Sequence, residues 1–147
     1  MRLLVLWCFV ATATLSGCRL FGWGGFSEND DHRDEWASRS NGTYSFVMNR
    51  GCFCIPAGLF EVEVVDYEIR SMVQVHSREP VDSTYFEYVH TIEQLFDLID
   101  QARREGADKL EVEYAREGYP TLVSIDWIEL AADDELFYGI SDVVIAE

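Results

Sequence analysis

The sequence predicts an α+β fold: one antiparallel sheet of about six strands in the order α-β-β-β-α-β-β-β, with the main helix packed on one face. Three observations predict it. Apolar and polar residues alternate with the two-residue period of a strand in six separate stretches. Each group of three stretches follows a segment with helical signals. Only the second of those segments carries a continuous apolar stripe, so one helix must do most of the covering of one sheet face while the other face meets water. The repeated order suggests an ancient duplication, and a cystatin-like or NTF2-like curved sheet uses the same element types.

The chain opens with Arg2 and an apolar run over residues 3–15, too short to cross a hydrocarbon core of about 30 Å, which takes about 20 helical residues. Residues 1–17 therefore read as a signal peptide. Leu15, Ser16, Gly17 and Cys18 form the lipobox pattern of bacterial lipoproteins, in which the cysteine sulfur is acylated and cleavage leaves Cys18 as the new N-terminus. The alternative is an ordinary secretory signal that happens to contain a cysteine. Acyl chains such as palmitate bury methylenes at about 0.8 kcal/mol each, and several chains give durable anchoring. Residues 18–28 then read as the lipidated N-terminus and a flexible, glycine-rich tether, whose aromatics suit the lipid interface or packing on the domain. Residues 29–147 suffice for one α+β domain with its own core. The expected location is the bacterial cell envelope, as a membrane-anchored lipoprotein with the domain exported.

Within the domain, residues 29–39 form a weak helix. Asn29 or Asp30 caps it, acids fill its first turn and Arg39 its last, and only Trp36 and Ala37 give it something to bury. Tyr44, Phe46 and Met48 alternate with Ser45, Val47 and Asn49 in a strand that runs into Cys52, Phe53 and Cys54. Residues 59–65 and 69–75 make two further strands, joined through Asp66, Tyr67 and Glu68 without a glycine, which leaves the turn type open. Residues 77–88, with Pro80 and mixed charges, cross the surface as a loop.

Thr91 starts the best helix of the chain. Thr91 caps it, Gln94 reaches back from the third helical position, and Ile92, Leu95, Phe96, Ile99 and Ala102 share one face until Gly106 stops it. Next, Leu110, Val112 and Tyr114 alternate with Glu111 and Glu113, and Gly118 gives the backbone freedom for a reversal. The returning strand places Thr121, Val123, Ile125 and Trp127 on one side, with Pro120 fitting only at its first position. An acidic turn of Asp133, Asp134 and Glu135 leads into a last strand over residues 135–145, expected to break near Gly139.

Several of these residues occur together in a known order: Trp36, then Tyr44 and Phe46, Cys52 and Cys54, Thr91 to Phe96, Val112 and Tyr114, Gly118 to Thr121, Ile125 and Asp126, and Asp133 to Glu135. In this the chain resembles a bacterial family of domains of unknown function, numbered 6174, over nearly all of the mature sequence. The resemblance implies a secreted or lipid-anchored protein with no established activity. The chain departs from the pattern after Tyr114, where Ala115 stands in place of the usual aspartate and the turn to Gly118 is one residue shorter.

The formal net charge is −16, and removing residues 1–17 takes away Arg2 and no acid, leaving about −17. With Lys109 the only lysine, nucleic acid is excluded as a partner, because neutralising phosphates requires basic patches. Cys52 and Cys54 remain once Cys8 leaves with the signal and Cys18 is lipidated. In an exported protein they are candidates for a disulfide, with a redox-active pair, a metal-binding pair and free thiols as alternatives. Asp126, Asp133, Asp134 and Glu135 are weak candidates for calcium ligands, since no EF-hand spacing is present, and such acids more commonly cap turns. No nucleophile elbow, phosphate-cradling loop or zinc-protease motif occurs, and no cofactor is expected. The functional expectation is a lipid-anchored envelope protein, non-enzymatic, that binds an unknown protein or envelope partner or gives structural support. The alternative is an envelope thiol-redox or metal-binding protein using Cys52 and Cys54.

Overall fold

The computed structural model describes residues 28–128, 130–131 and 133–146; the predicted signal segment, Cys18 and the predicted tether up to residue 27 lie outside them. The elements are α1 (Glu28–Arg39), β1 (Tyr44–Cys52), β2 (Gly58–Val65), β3 (Glu68–Gln74), α2 (Ile92–Glu105), β4 (Lys109–Tyr114), β5 (Pro120–Asp126) and β6 (Leu136–Ile145). All six strands form one antiparallel sheet in the order β3-β2-β1-β6-β5-β4. The α+β class and the element order are those the sequence predicts. Two meanders meet at the centre through β1 and β6, the first strand of one and the last of the other. Each half thus has the same internal order, β3-β2-β1 and β6-β5-β4, without a twofold axis relating equivalent strands.

The inward positions of the sheet supply one core. Tyr44, Phe46 and Met48 of β1, Phe60, Val62 and Val64 of β2, Val123 and Ile125 of β5, and Tyr138 and Ile140 of β6 are buried against Ile92, Leu95, Phe96 and Ile99 of α2. α2 has the ends its sequence calls for. Thr91 Oγ1 accepts from Gln94 N at 3.3 Å, the Gln94 side chain accepts from Thr91 N at 2.9 Å, and Gly106 closes the helix at φ 72°.

α1 is held differently, and Asn29 corrects the sequence reading. Rather than capping the helix, Asn29 lies inside it, fully buried. Its Nδ2 donates to Phe96 O at 3.1 Å and to Asp100 Oδ1 at 2.7 Å, while its Oδ1 accepts from Tyr114 OH at 2.7 Å. One turn on, Arg33 bridges Asp97 and Asp100 at 2.7 and 2.6 Å and lies over the Phe96 ring. Trp36 completes the stripe, whereas Ala37 stays exposed. A helix with little apolar surface is thus docked by hydrogen bonds that also satisfy groups on α2 and β4.

Three local features depend on tertiary contacts. The β2–β3 turn is made by Asp66 and Tyr67 at φ 53° and 68°, the geometry of a two-residue primed turn. It dispenses with glycine because Tyr67 N donates to Gly42 O at 2.9 Å, and the Tyr67 ring fills the space where a Cβ on Gly42 would lie, 2.6 Å away. Gly118, at φ 99°, is needed for more than the reversal: a Cβ there would sit 2.5 Å from His32 O and 2.6 Å from Trp36 N, so the turn seats against α1 only without a side chain. β6 runs unbroken through Gly139. Its irregularity falls at Asp142 (φ 51°), beside a register shift between Ser45 and Val47 of β1.

The two sheet edges are treated differently. Residues 79–82 run beside β3, with a bridge from Val73 to Pro80 and bonds Gln74 N to Glu79 O and Val81 N to Met72 O, both 2.9 Å. They continue into a 3₁₀ turn, Ser83–Tyr88, capped by Asp82, so the predicted loop carries structure of its own. At the far edge, among the described residues, β4 is hydrogen-bonded along its ladder to β5.

Candidate functional site on the open sheet face

Among the described residues both α-helices lie on the core side, and the other face of the sheet carries the alternate residues. Antiparallel pairing sets Gly51 against Phe137, Phe137 against Ser124, and Ser124 against Glu111, one row across four strands. Adjacent to it, Lys109 pairs with Asp126 and their side chains meet at 3.4 Å. Phe137 lies over the two glycines that flank it: a Cβ on Gly51 would be 3.4 Å from the Phe137 Cβ, and one on Gly139 would be 3.5 Å from the ring. The Phe137 side chain thus lies within van der Waals reach of both glycine positions.

Over this row the β1–β2 and β5–β6 connections wall off a groove of about 710 Å³. Glu111, Asp126, Asp133 and Glu135 contribute carboxylates to its lining, Phe137 and Phe53 aromatic surface, and Lys109 one cation. Three of the four acids singled out in the sequence, Asp126, Asp133 and Glu135, thus come together with Cys52, which lines the same groove. Asp134 does not line it, and among the described residues both its carboxylate oxygens are buried without a hydrogen-bond partner. The acids do not converge as a cation cage: among the described residues no group of three His, Cys, Asp or Glu side chains is arranged to hold a metal ion. One reason is visible at Asp126, whose Oδ2 is turned to Lys109.

Cys52 and Cys54 stand at disulfide distance, with Cα atoms 5.1 Å apart. Between them Phe53 is pushed out to 84% exposure, and Ile55 follows at 71%. The β1–β2 connection therefore offers an apolar tip beside an acidic groove, and Leu130 of the β5–β6 connection, at 96%, is another fully presented apolar side chain.

A second polar cluster lies inside the core, and its chemistry was missed in the sequence. Arg50 is 7% exposed, and it continues the inward series Tyr44, Phe46, Met48 that the alternation already marked. Its Nη1 donates to Pro56 O, its Nε donates to Tyr138 OH at 3.1 Å, and its guanidinium lies over the Tyr138 ring. Tyr138 OH also meets His90 Nδ1 at 2.6 Å. An arginine Nε–H only donates, so the phenol oxygen accepts it, and the phenol proton is available to His90 Nδ1 when the neutral imidazole is protonated on Nε2. Burial, then the nearby Arg50 charge, push the His90 pKa below its ordinary value. Burial likewise raises that of Tyr138, against the opposing influence of Arg50. The cluster fixes the β1–β2 connection through the Pro56 carbonyl and so holds one wall of the groove.

The sign of the resulting pH dependence follows from that depressed value. The folded protein favours neutral His90, so its stabilising contribution is complete above the unfolded-state pKa of about 6.5 and is lost as pH falls from there through the lower folded-state value. Urea unfolding at pH 7.5 and 5.5 should therefore show a larger loss of stability for the parent chain than for His90→Gln. Equal losses would contradict the assignment.

At the other end of the core, Glu93 in the first turn of α2 accepts from Trp36 Nε1 at 2.8 Å and from Tyr44 OH at 2.5 Å. Tyr44 OH in turn accepts from Ile92 N at 3.1 Å. One carboxylate ties α1, β1 and α2 together; burial and then the Glu93 charge hold the Tyr44 phenol far above its ordinary pKa.

What fold and site define together is an α+β domain with a one-sided antiparallel sheet, its helices on one face and an acidic, aromatic-floored groove on the other. The chain belongs to the family of unknown function DUF6174, which matches residues 28–145. No curated protein and no solved structure matches it.

Proposed function

We propose that the chain is a bacterial lipoprotein, anchored in the cell envelope through Cys18, that works by binding a partner in the groove of its open sheet face. The observation that supports this reading is the groove itself: about 710 Å³, lined by four carboxylates and two phenylalanines, on the sheet face that no helix covers among the described residues. Large apolar side chains held out in water beside such a cleft cost solubility and are explained by an occupant. α1, which follows the tether, packs against α2 on the opposite face, so a membrane reached through residue 28 leaves the groove accessible. The high negative charge directs the reading away from nucleic acid and acidic lipid headgroups.

The test fills the groove without touching the core. Ser124→Trp places a large ring on its floor, between Phe137 and Glu111. Complexes cross-linked in native membranes should disappear with this variant while its unfolding midpoint stays close to that of the parent; unchanged complexes would refute the groove as contact surface. A second reading, thiol-redox or metal chemistry at Cys52 and Cys54, draws support from their disulfide distance and from Cys52 lining the same groove. In the same assay a Cys52→Ser/Cys54→Ser variant with unchanged metal content, redox behaviour and complexes would dispose of it.

A further inference from the structure

The edge of the sheet next to the groove has a shape and charge that specify what can be added to it. A six-stranded open sheet has two edges, and here one is protected: residues 79–82 bond along β3. The other is β4. Among the described residues, Leu110 to Tyr114 make no backbone hydrogen bond outside the β4–β5 ladder. An unpaired row of N–H and C=O groups on an edge is a template for another strand.

The side chains of β4 restrict which strand fits. Glu111 and Glu113 are exposed and point to the groove face, where Glu111 is part of the groove lining. On the core side Leu110, Val112 and Tyr114 are only half-buried, although they pack against the core. A second copy of this chain would bring its own Glu111 and Glu113 alongside, like charges on a molecule already at −16. An added strand with lysine or arginine at alternate positions instead meets the two glutamates, and its intervening apolar residues extend the core past Leu110 and Val112. The acidic character continues into the groove, whose lining Asp133 and Glu135 share with Glu111.

We propose that β4 is a strand-addition site for an extended basic segment of a partner protein, alternating cationic and apolar residues, with its cationic side laid along Glu111 and Glu113 toward the acidic groove. This rests on the binding role assigned to the open face and names the chemistry of the partner. The same two carboxylates that block self-pairing at this edge then select the partner.

Hydrogen exchange followed by mass spectrometry on the full chain in detergent tests it, with a capped eight-residue peptide alternating lysine and valine as the probe. The expected result is slowed exchange at residues 110–114 with this peptide and none with its glutamate-valine counterpart. Glu111→Lys/Glu113→Lys, two exposed substitutions, should weaken the basic peptide by about tenfold or more and admit the acidic one. Protection at residues 122–125 and 136–138 without protection of 110–114 would overturn strand addition yet agree with the groove. Protection of neither region by the basic peptide would overturn the proposed partner chemistry, and Ser124→Trp in native membranes then judges the groove separately.

Discussion

Trp36→Ala should cost the domain about 3–5 kcal/mol, as large as any single side-chain deletion expected in this fold. Trp36 is 1% exposed and meets Tyr44 and Tyr119 edge-on, with ring centroids 5.2 and 5.7 Å away. Its loss removes aromatic contact on both sides and also one of the two donors that satisfy the Glu93 carboxylate. Little else apolar on α1 compensates, because its other buried residue is Asn29. Against a typical stability of about 5–15 kcal/mol, the variant should unfold at a far lower urea concentration, with α1 released from α2. Trp36→Phe, which keeps most of the ring and loses only the indole donor, should cost about 1–2 kcal/mol. A loss below about 1 kcal/mol for the alanine variant would show that α1 is not held as described.

The second large effect concerns location. If Cys18 carries the anchor, Cys18→Ser should shift the chain from the membrane toward the soluble fraction, since each acyl chain contributes about 0.8 kcal/mol per buried methylene. Among the described residues no helix is long and apolar enough to cross a membrane. The high negative charge gives the domain no attraction for an anionic leaflet. A variant that stays with the membrane at high salt would contradict the anchor.

How far the sequence reveals this fold depends on how local each determinant is. α2 is legible because its cap, stripe and stop signal lie within one stretch, Thr91 to Gly106, and the strands are legible from alternation alone. The docking of α1 is not, because Asn29 and Arg33 find partners about 60 to 85 residues away, and such pairs leave no periodic signal. The turn at Asp66 and Tyr67 lacks the usual glycine because Gly42, far upstream, receives the Tyr67 ring.

The groove was half visible. Asp126, Asp133 and Glu135 stand out by sequence proximity, though as a calcium set, and the structure makes them groove walls. Glu111, Lys109 and Phe137 join them only through the register of β4, β5 and β6, which no single strand encodes. Arg50 carried a usable signal, a cation at an inward strand position, whereas its partners Tyr138 and His90 required the order of the sheet.

Access to the groove at a membrane depends on a lipid at the N-terminus of the domain. Intact-mass analysis of the chain extracted from native membranes tests this directly. The expected product begins at Cys18 and is heavier than its amino-acid sequence by the mass of the acyl groups. A chain beginning at Met1, or one beginning at Cys18 with an unmodified thiol, would contradict it.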